Sequence, residues 1–148
     1  PLVDPAMLDK LVENWDMTQA DLITPVFPIH EIAEVLNPNI VKVVRDARMR
    51  ALYFSRSPIP HVRDASQDQW LSKAQFWGHI GVYGYTRSAL LQYPQLPVSA
   101  LELAESLEQL RFLDAGFTFQ TVETNYRSVA VDVQADLDRV RVLLAEQN

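Results

Sequence analysis

The chain has 148 residues, 48% of them hydrophobic and 22% charged, with 13 basic against 19 acidic side chains and no cysteine. That length suits one domain with a self-sufficient core, and the missing cysteine excludes disulfides, thiolate metal sites and a cysteine nucleophile. A net charge of −6 argues against a phosphate backbone as partner; with no apolar run of membrane-spanning length and no leader pattern, the expectation is a cytoplasmic protein that binds neither nucleic acid nor membrane.

Asp4-Pro5 is a helix start, an acceptor side chain followed by proline at the first helical position. Leu8, Leu11, Val12 and Trp15 recur at helical spacing and predict one buried stripe. Residues 21–29 read as extended, but Pro25 and Pro28 each remove a ladder donor and predict an irregular or edge segment. Residues 31–36 predict a short helical turn ended by Asn37-Pro38. Ile40–Arg45 and Ala51–Phe54 predict two short strands joined as a hairpin. From Ser57 to Ser72, with Pro58 and Pro60, the pattern predicts a long exposed loop, a kind of segment that often serves as lid or oligomer contact.

Trp77–Tyr85 predicts a strand whose alternation places His79, Gly81, Tyr83 and Tyr85 on one face. Ala100–Leu113 predicts a single helix opened by a Ser99-x-x-Glu102 capping box. Leu103, Leu107 and Leu110 form its core stripe, Glu105, Glu108, Gln109 and Phe112 lie on an adjacent face, and Gly116 follows its end. Phe117–Val122 and Val129–Val131 predict strands, and Gln134–Glu146 a last helix burying Leu137, Val140 and Leu144. The mixed order of elements predicts an α/β or α+β layered fold.

The four glycines, Gly78, Gly81, Gly84 and Gly116, cannot be assembled into a P-loop or a dinucleotide fingerprint, and no Gly-x-Ser-x-Gly elbow occurs. A bound nucleotide would have its phosphates cradled from elsewhere. With Pro1 in place of methionine, the expectation is a piece of a longer protein.

His79, between glycines, reads either as a hydrogen-bonded core histidine or as part of a ligand site. Gly81 leaves room beside it, and Tyr83 adds a polar tip. Arg56 follows an apolar strand at its carboxyl end, where a guanidinium suits a carboxylate or phosphate; a surface ion pair is the alternative. Glu108 and Gln109 flank the core stripe of their helix, as a solvated face also would. Asp132 reads either as a cap or as a metal ligand. His30 and His61 have no ligand-like spacing to each other or to His79, so no zinc site is expected.

Five segments occur in order: Asn37–Val44, Ala51–Pro60 (Ala-Leu-Tyr-Phe-Ser-Arg-Ser-Pro-Ile-Pro), Gly78–Tyr85 (Gly-His-Ile-Gly-Val-Tyr-Gly-Tyr), Leu107–Arg111 (Leu-Glu-Gln-Leu-Arg), and Val131-Asp132 before Asp136-Leu137. Together they resemble the CMP-Kdo synthetase family, the 3-deoxy-manno-octulosonate cytidylyltransferases of lipopolysaccharide synthesis. The resemblance covers nearly the whole chain. It implies an α/β fold of the nucleotide-diphospho-sugar transferase type, a GT-A-like mixed sheet flanked by helices, here incomplete at its N-terminus. It also implies CTP and Kdo as substrates, Mg2+ as the metal, and a homodimer. By the same resemblance Arg56, His79, Tyr83, Glu108 and Gln109 bind the sugar acid and Asp132 helps hold Mg2+.

The family's phosphate loop, base-recognition segment and Gly-Asp-Glu-Pro stretch have no counterpart in these residues. The chain alone is therefore expected to be inactive and to belong with a missing N-terminal half. Arg48-Met49-Arg50 stands where the family usually has a glycine turn, and Val133-Gln134-Ala135 where Thr-Pro-Glu is common. Two alternatives follow: a non-catalytic dimerisation or binding module derived from this family, and a cytidylyltransferase for another sugar acid such as an acylneuraminate.

Overall fold

The computed structural model describes residues 3–15 and 19–127, together with residues 138 and 141. In chain order the elements are α1 (Pro5–Trp15), β1 (Leu22–Ile29), α2 (Ile32–Leu36), β2 (Lys42–Arg45), β3 (Ala51–Ser55), α3 (Trp70–Lys73), β4 (Phe76–His79), β5 (Gly84–Tyr85), α4 (Arg87–Gln92), α5 (Ala100–Glu105), α6 (Gln109–Asp114) and β6 (Phe119–Glu123). The strands form one mixed sheet in the order β3-β2-β4-β1-β5, with β6 also pairing β1. The expected strand at Val129–Val131, Asp132 and the expected last helix, apart from the helical residues 138 and 141, lie outside the described residues.

β1 is the centre of this sheet, not an edge. Antiparallel β4 and β5 lie along one side of it and parallel β6 along the other. Both prolines fit because each falls where no ladder donor is required. Pro25 sits on the β4/β5 side in the gap between those two pairings, and its carbonyl still accepts the Ile80 N–H at 3.1 Å. Pro28 lies beyond the last β6 pair, Val26↔Glu123, and its carbonyl takes the Arg127 guanidinium at 3.1 Å. Proline costs a sheet nothing where its nitrogen faces no partner.

Alternation along β1 feeds two cores on opposite faces of the sheet. Leu22 and Val26 join Val43, Phe54, Leu110, Phe112 and Phe119 on one face. Phe27 and Ile29 join Met7, Val35, Trp70 and Phe76 on the other. The β2–β3 hairpin forms as expected. Its tip, with Met49 at φ 60, curls onto β6, where Thr121 donates to the Met49 carbonyl from both its N–H (2.9 Å) and its hydroxyl (2.6 Å).

Several expectations need correction. In α1 the buried pair is Met7 and Leu11, while Leu8 and Val12 are exposed, so the stripe against the sheet is narrower than the periodicity implied. The Ser57–Ser72 segment is largely exposed, as expected, but it is pinned at Trp70, which is buried, donates to the Ala65 carbonyl at 3.1 Å and stacks on Phe76. The expected helix over 100–113 is two helices. Ser106 adopts a left-handed conformation (φ 51, ψ 51) that ends α5, and α6 restarts at Gln109 in a new phase. Leu107 and Leu110 are therefore buried and Leu103 is 71% exposed. Ser99 does cap α5, accepting the Glu102 N–H at 3.1 Å, but the Glu102 carboxylate turns to Arg111. Gly116, at φ 86, closes α6 as expected. No described helix is long and apolar enough to cross a membrane.

Candidate functional site

The expected continuous strand over 77–85 is broken. Between the pairs Val26↔His79 and Ile23↔Gly84, β1 advances three residues and its partner five, so part of Ile80–Tyr83 bulges out of the ladder. Bulges re-aim side chains and are frequent beside active sites. Thr24, fully buried on β1, fastens this one: its hydroxyl lies 2.8 Å from the Val82 carbonyl and 3.3 Å from that of Ile80.

The same hydroxyl lies 2.9 Å from His79 Nε2. Because its one proton goes to a carbonyl, it accepts from His79, and the imidazole carries its proton on Nε2. That leaves Nδ1 as an acceptor with no protein partner among the described residues. Burial pushes the His79 pKa down to about 3, so the ring is neutral at physiological pH. It packs edge-on to Phe54 at 4.9 Å and beside Tyr83 at 5.3 Å.

Tyr83 opens onto a pocket of about 410 Å³, whose wall also includes Tyr85, Tyr93, Phe112, Ser106, Glu108 and Gln109. Phe112 is the aromatic centre: Tyr93 stacks on it at 4.8 Å and Tyr85 tilts against it at 5.6 Å. Burial, with the nearby Tyr85 and Glu108, raises the Tyr83 pKa, so its hydroxyl stays a donor. The side-chain polar groups of Tyr83, Glu108 and Gln109 have no hydrogen-bond partner among the described residues. The pocket thus offers a hydroxyl, an amide and a carboxylate over an aromatic floor, a donor–acceptor mixture suited to a polyhydroxylated ring.

Arg56 does not line this pocket but adjoins it. Its guanidinium donates to three backbone carbonyls: Glu105 from Nε (2.8 Å), Pro38 from Nη1 (3.1 Å) and Ser106 from Nη2 (3.2 Å). The sequence-selected Tyr83, Glu108 and Gln109 therefore share one pocket. His79 lies directly against Tyr83, and Arg56 adjoins the pocket through Ser106.

Sequence reasoning missed Tyr93 and Phe112 as pocket residues, Thr24 as the fastener of the bulge, and Lys42 and Glu105 as neighbours of Arg56. Lys42 is fully buried on β2, and its ammonium donates to the Asn37 (2.8 Å) and Ile40 (2.5 Å) carbonyls. Burial first, then the neighbouring Arg56 charge, lower its pKa to about 8 against a smaller raising effect of Glu105. A lysine inside a β-branched strand was the available signal. Among the described residues no group of three or more His, Asp and Glu side chains converges to hold a metal.

A family model described as cytidylyltransferase matches residues 1–124. The chain is similar to the 3-deoxy-manno-octulosonate cytidylyltransferase of Geotalea daltonii, 42% identical over 95% of this chain and 58% of that protein. It is also similar to that of Nitrosococcus oceani, 42% identical over 99% of this chain and 59% of the relative. A solved structure of CMP:2-keto-3-deoxy-manno-octonic acid synthetase complexed with CTP matches with a TM-score of 0.90 and 39% identity, covering 100% of this chain and 59% of that one. The chain spans about three-fifths of the length of these relatives. Its fold is, as expected, the mixed sheet and flanking helices of a nucleotide-diphospho-sugar transferase. With the family model matched over most of its residues, the chain belongs to the cytidylyltransferase family.

Proposed function

We propose that these residues are the sugar-acid-binding and dimer-forming portion of a 3-deoxy-manno-octulosonate (Kdo) cytidylyltransferase, which joins Kdo to CTP as CMP-Kdo and releases pyrophosphate. The observation that carries this reading is the convergence of Tyr83, Glu108 and Gln109, unpartnered, on one pocket backed by His79 and Arg56. Glu108 accepts from sugar hydroxyls, while Tyr83 donates and Gln109 does both. Arg56 keeps two N–H groups beyond its three backbone bonds, and these meet the sugar carboxylate in charge-assisted contacts. His79 Nδ1 accepts a further hydroxyl. Together these groups hold the reacting hydroxyl toward the α-phosphate, and this positioning is the main contribution of the chain to the transfer.

Asp132 is the carboxylate we assign to Mg2+, which when bound neutralises charge on the transferring phosphate. The exposed Leu90, Leu91, Val98, Leu101 and Leu103 support a homodimer contact on the α4–α5 side, which sedimentation would test. The 42% identity to relatives named as 3-deoxy-manno-octulosonate cytidylyltransferases favours Kdo over an acylneuraminate.

Calorimetry tests the site. The chain is expected to bind Kdo weakly, and Arg56→Ala or His79→Ala to abolish that binding; affinity unchanged by both overturns the assignment. Mixed with CTP, Kdo and Mg2+, these 148 residues alone are expected to release no pyrophosphate, since they carry no glycine-rich phosphate loop. Sustained release would refute that part.

A further inference from the structure

Glu105 lies at the end of α5, outside the pocket lining, yet both of its carboxylate oxygens are engaged. Oε1 accepts the Ser55 hydroxyl at 2.6 Å and Oε2 accepts the Arg56 backbone N–H at 2.9 Å. The exchange is reciprocal, because Arg56 Nε returns a bond to the Glu105 backbone carbonyl at 2.8 Å. The next residue is the left-handed Ser106, whose carbonyl also takes Arg56, and from Ser106 through Gln109 the chain lines the pocket.

Charge gives this clasp a second function. Lys42 pairs with Ser55 across the β2–β3 ladder, and its ammonium feels both the Arg56 guanidinium and the Glu105 carboxylate. Two cations are thus held beside one carboxylate. Without it they repel, and Arg56, the more exposed of the two, is the one free to move.

We propose that Glu105 is a positioning residue for the sugar-acid pocket: through Ser55 and Arg56 it joins the end of β3 to the break between α5 and α6, setting Arg56 and the Ser106–Gln109 wall together. The ligand side of this inference rests on the Kdo reading given above. Glutamine at 105 can keep the geometry, with its oxygen on the Arg56 N–H and its amide on the Ser55 oxygen, although the charge is lost. Alanine keeps neither. Misplacing a binding group by an ångström costs up to about 100-fold in comparable sites.

The test is Kdo affinity by calorimetry, per folded molecule and well below each variant's melting point, together with amide hydrogen exchange. Glu105→Ala is expected to weaken Kdo binding by roughly 10- to 100-fold, and Glu105→Gln, which keeps the hydrogen bonds but loses the charge between Lys42 and Arg56, by a smaller factor of about three- to tenfold. Exchange is expected to speed up at residues 106–110 in Glu105→Ala, with the β1 amides unchanged. Loss of thermal stability without loss of affinity per folded molecule would mean a merely structural role and would overturn the proposal. If Glu105→Ala does not fold, Ser55→Ala, which removes one arm of the clasp, is expected to show the same local exchange and a smaller affinity loss; wild-type behaviour there overturns it. If the wild-type chain binds no Kdo, the functional reading fails, and the exchange data alone support or overturn the clasp.

Discussion

Arg111 grips Glu102 with two bonds of 2.6 Å, from Nε and Nη2, and so bridges α5 and α6 across the Ser106 break. The same guanidinium lies over the Tyr93 ring, 4.6 Å from its centre, which connects the bridge to the pocket floor. The bonds from Arg111 hold the Glu102 carboxyl below the usual glutamate range. The unfolded chain therefore binds this proton at a higher pH than the folded one, and the stabilisation is present above the unfolded pKa and lost as pH falls through the folded one. Glu102→Gln is expected to be less stable than wild type at pH 7 and to lose less on acidification. Urea titrations between pH 7 and pH 3 measure the two slopes.

His79 titrates in the same direction for a different reason. Its folded pKa, pushed down to about 3 by burial, lies below the value near 6.5 of the unfolded chain. Between these values the unfolded state binds the extra proton, so stability falls with decreasing pH by at most about 1.4 kcal/mol per unit. His79→Gln is expected to flatten this part of the profile, and an NMR titration of the wild-type ring should show no protonation down to pH 4.

Two glycines on the same stretch of chain should respond in opposite ways. A Cβ at Gly78 would overlap the Phe27 ring in the sheet, so Gly78→Ala is expected to cost about 1–3 kcal/mol in denaturant unfolding. A Cβ at Gly81 meets nothing within 4 Å. Gly81→Ala is expected to be neutral or to stabilise by up to about 1 kcal/mol.

Tyr83→Phe removes one hydroxyl and leaves the aromatic contacts with His79 and Tyr85 intact. Kdo affinity is expected to fall by about tenfold at most, the worth of one hydrogen bond, with no change in melting temperature. Calorimetry and a thermal scan on the same sample separate the two effects.

The local signals were read well where they were self-contained: Asp4 capping α1, the β2–β3 hairpin, and Gly116 ending α6. They failed where distant partners decide. Pro25 and Pro28 look like breakers until β4, β5 and β6 are placed around β1, when both nitrogens are seen to face gaps. Ser106 carries no local sign of a left-handed turn; the Arg56 bond to its carbonyl comes from a strand 50 residues away. Unaware of that break, the periodicity kept one phase through 113 and buried Leu103. Tyr83, Glu108 and Gln109 were legible as candidates because they stand in recognisable segments. Tyr93 and Phe112 were not, since their shared floor exists only once the turn after α4 meets α6.

The central place of β1 has a consequence for synthesis. Its parallel neighbour spans Phe119–Glu123, and Leu22 pairs with Phe119, so β1 is synthesised well before that partner. A nascent chain must emerge from the ribosome almost as far as residue 123 before that flank of β1 can zip, and such distant pairings are slow to form. Until then an apolar strand waits with one flank bare, which makes translation pace and chaperone access matter for its folding.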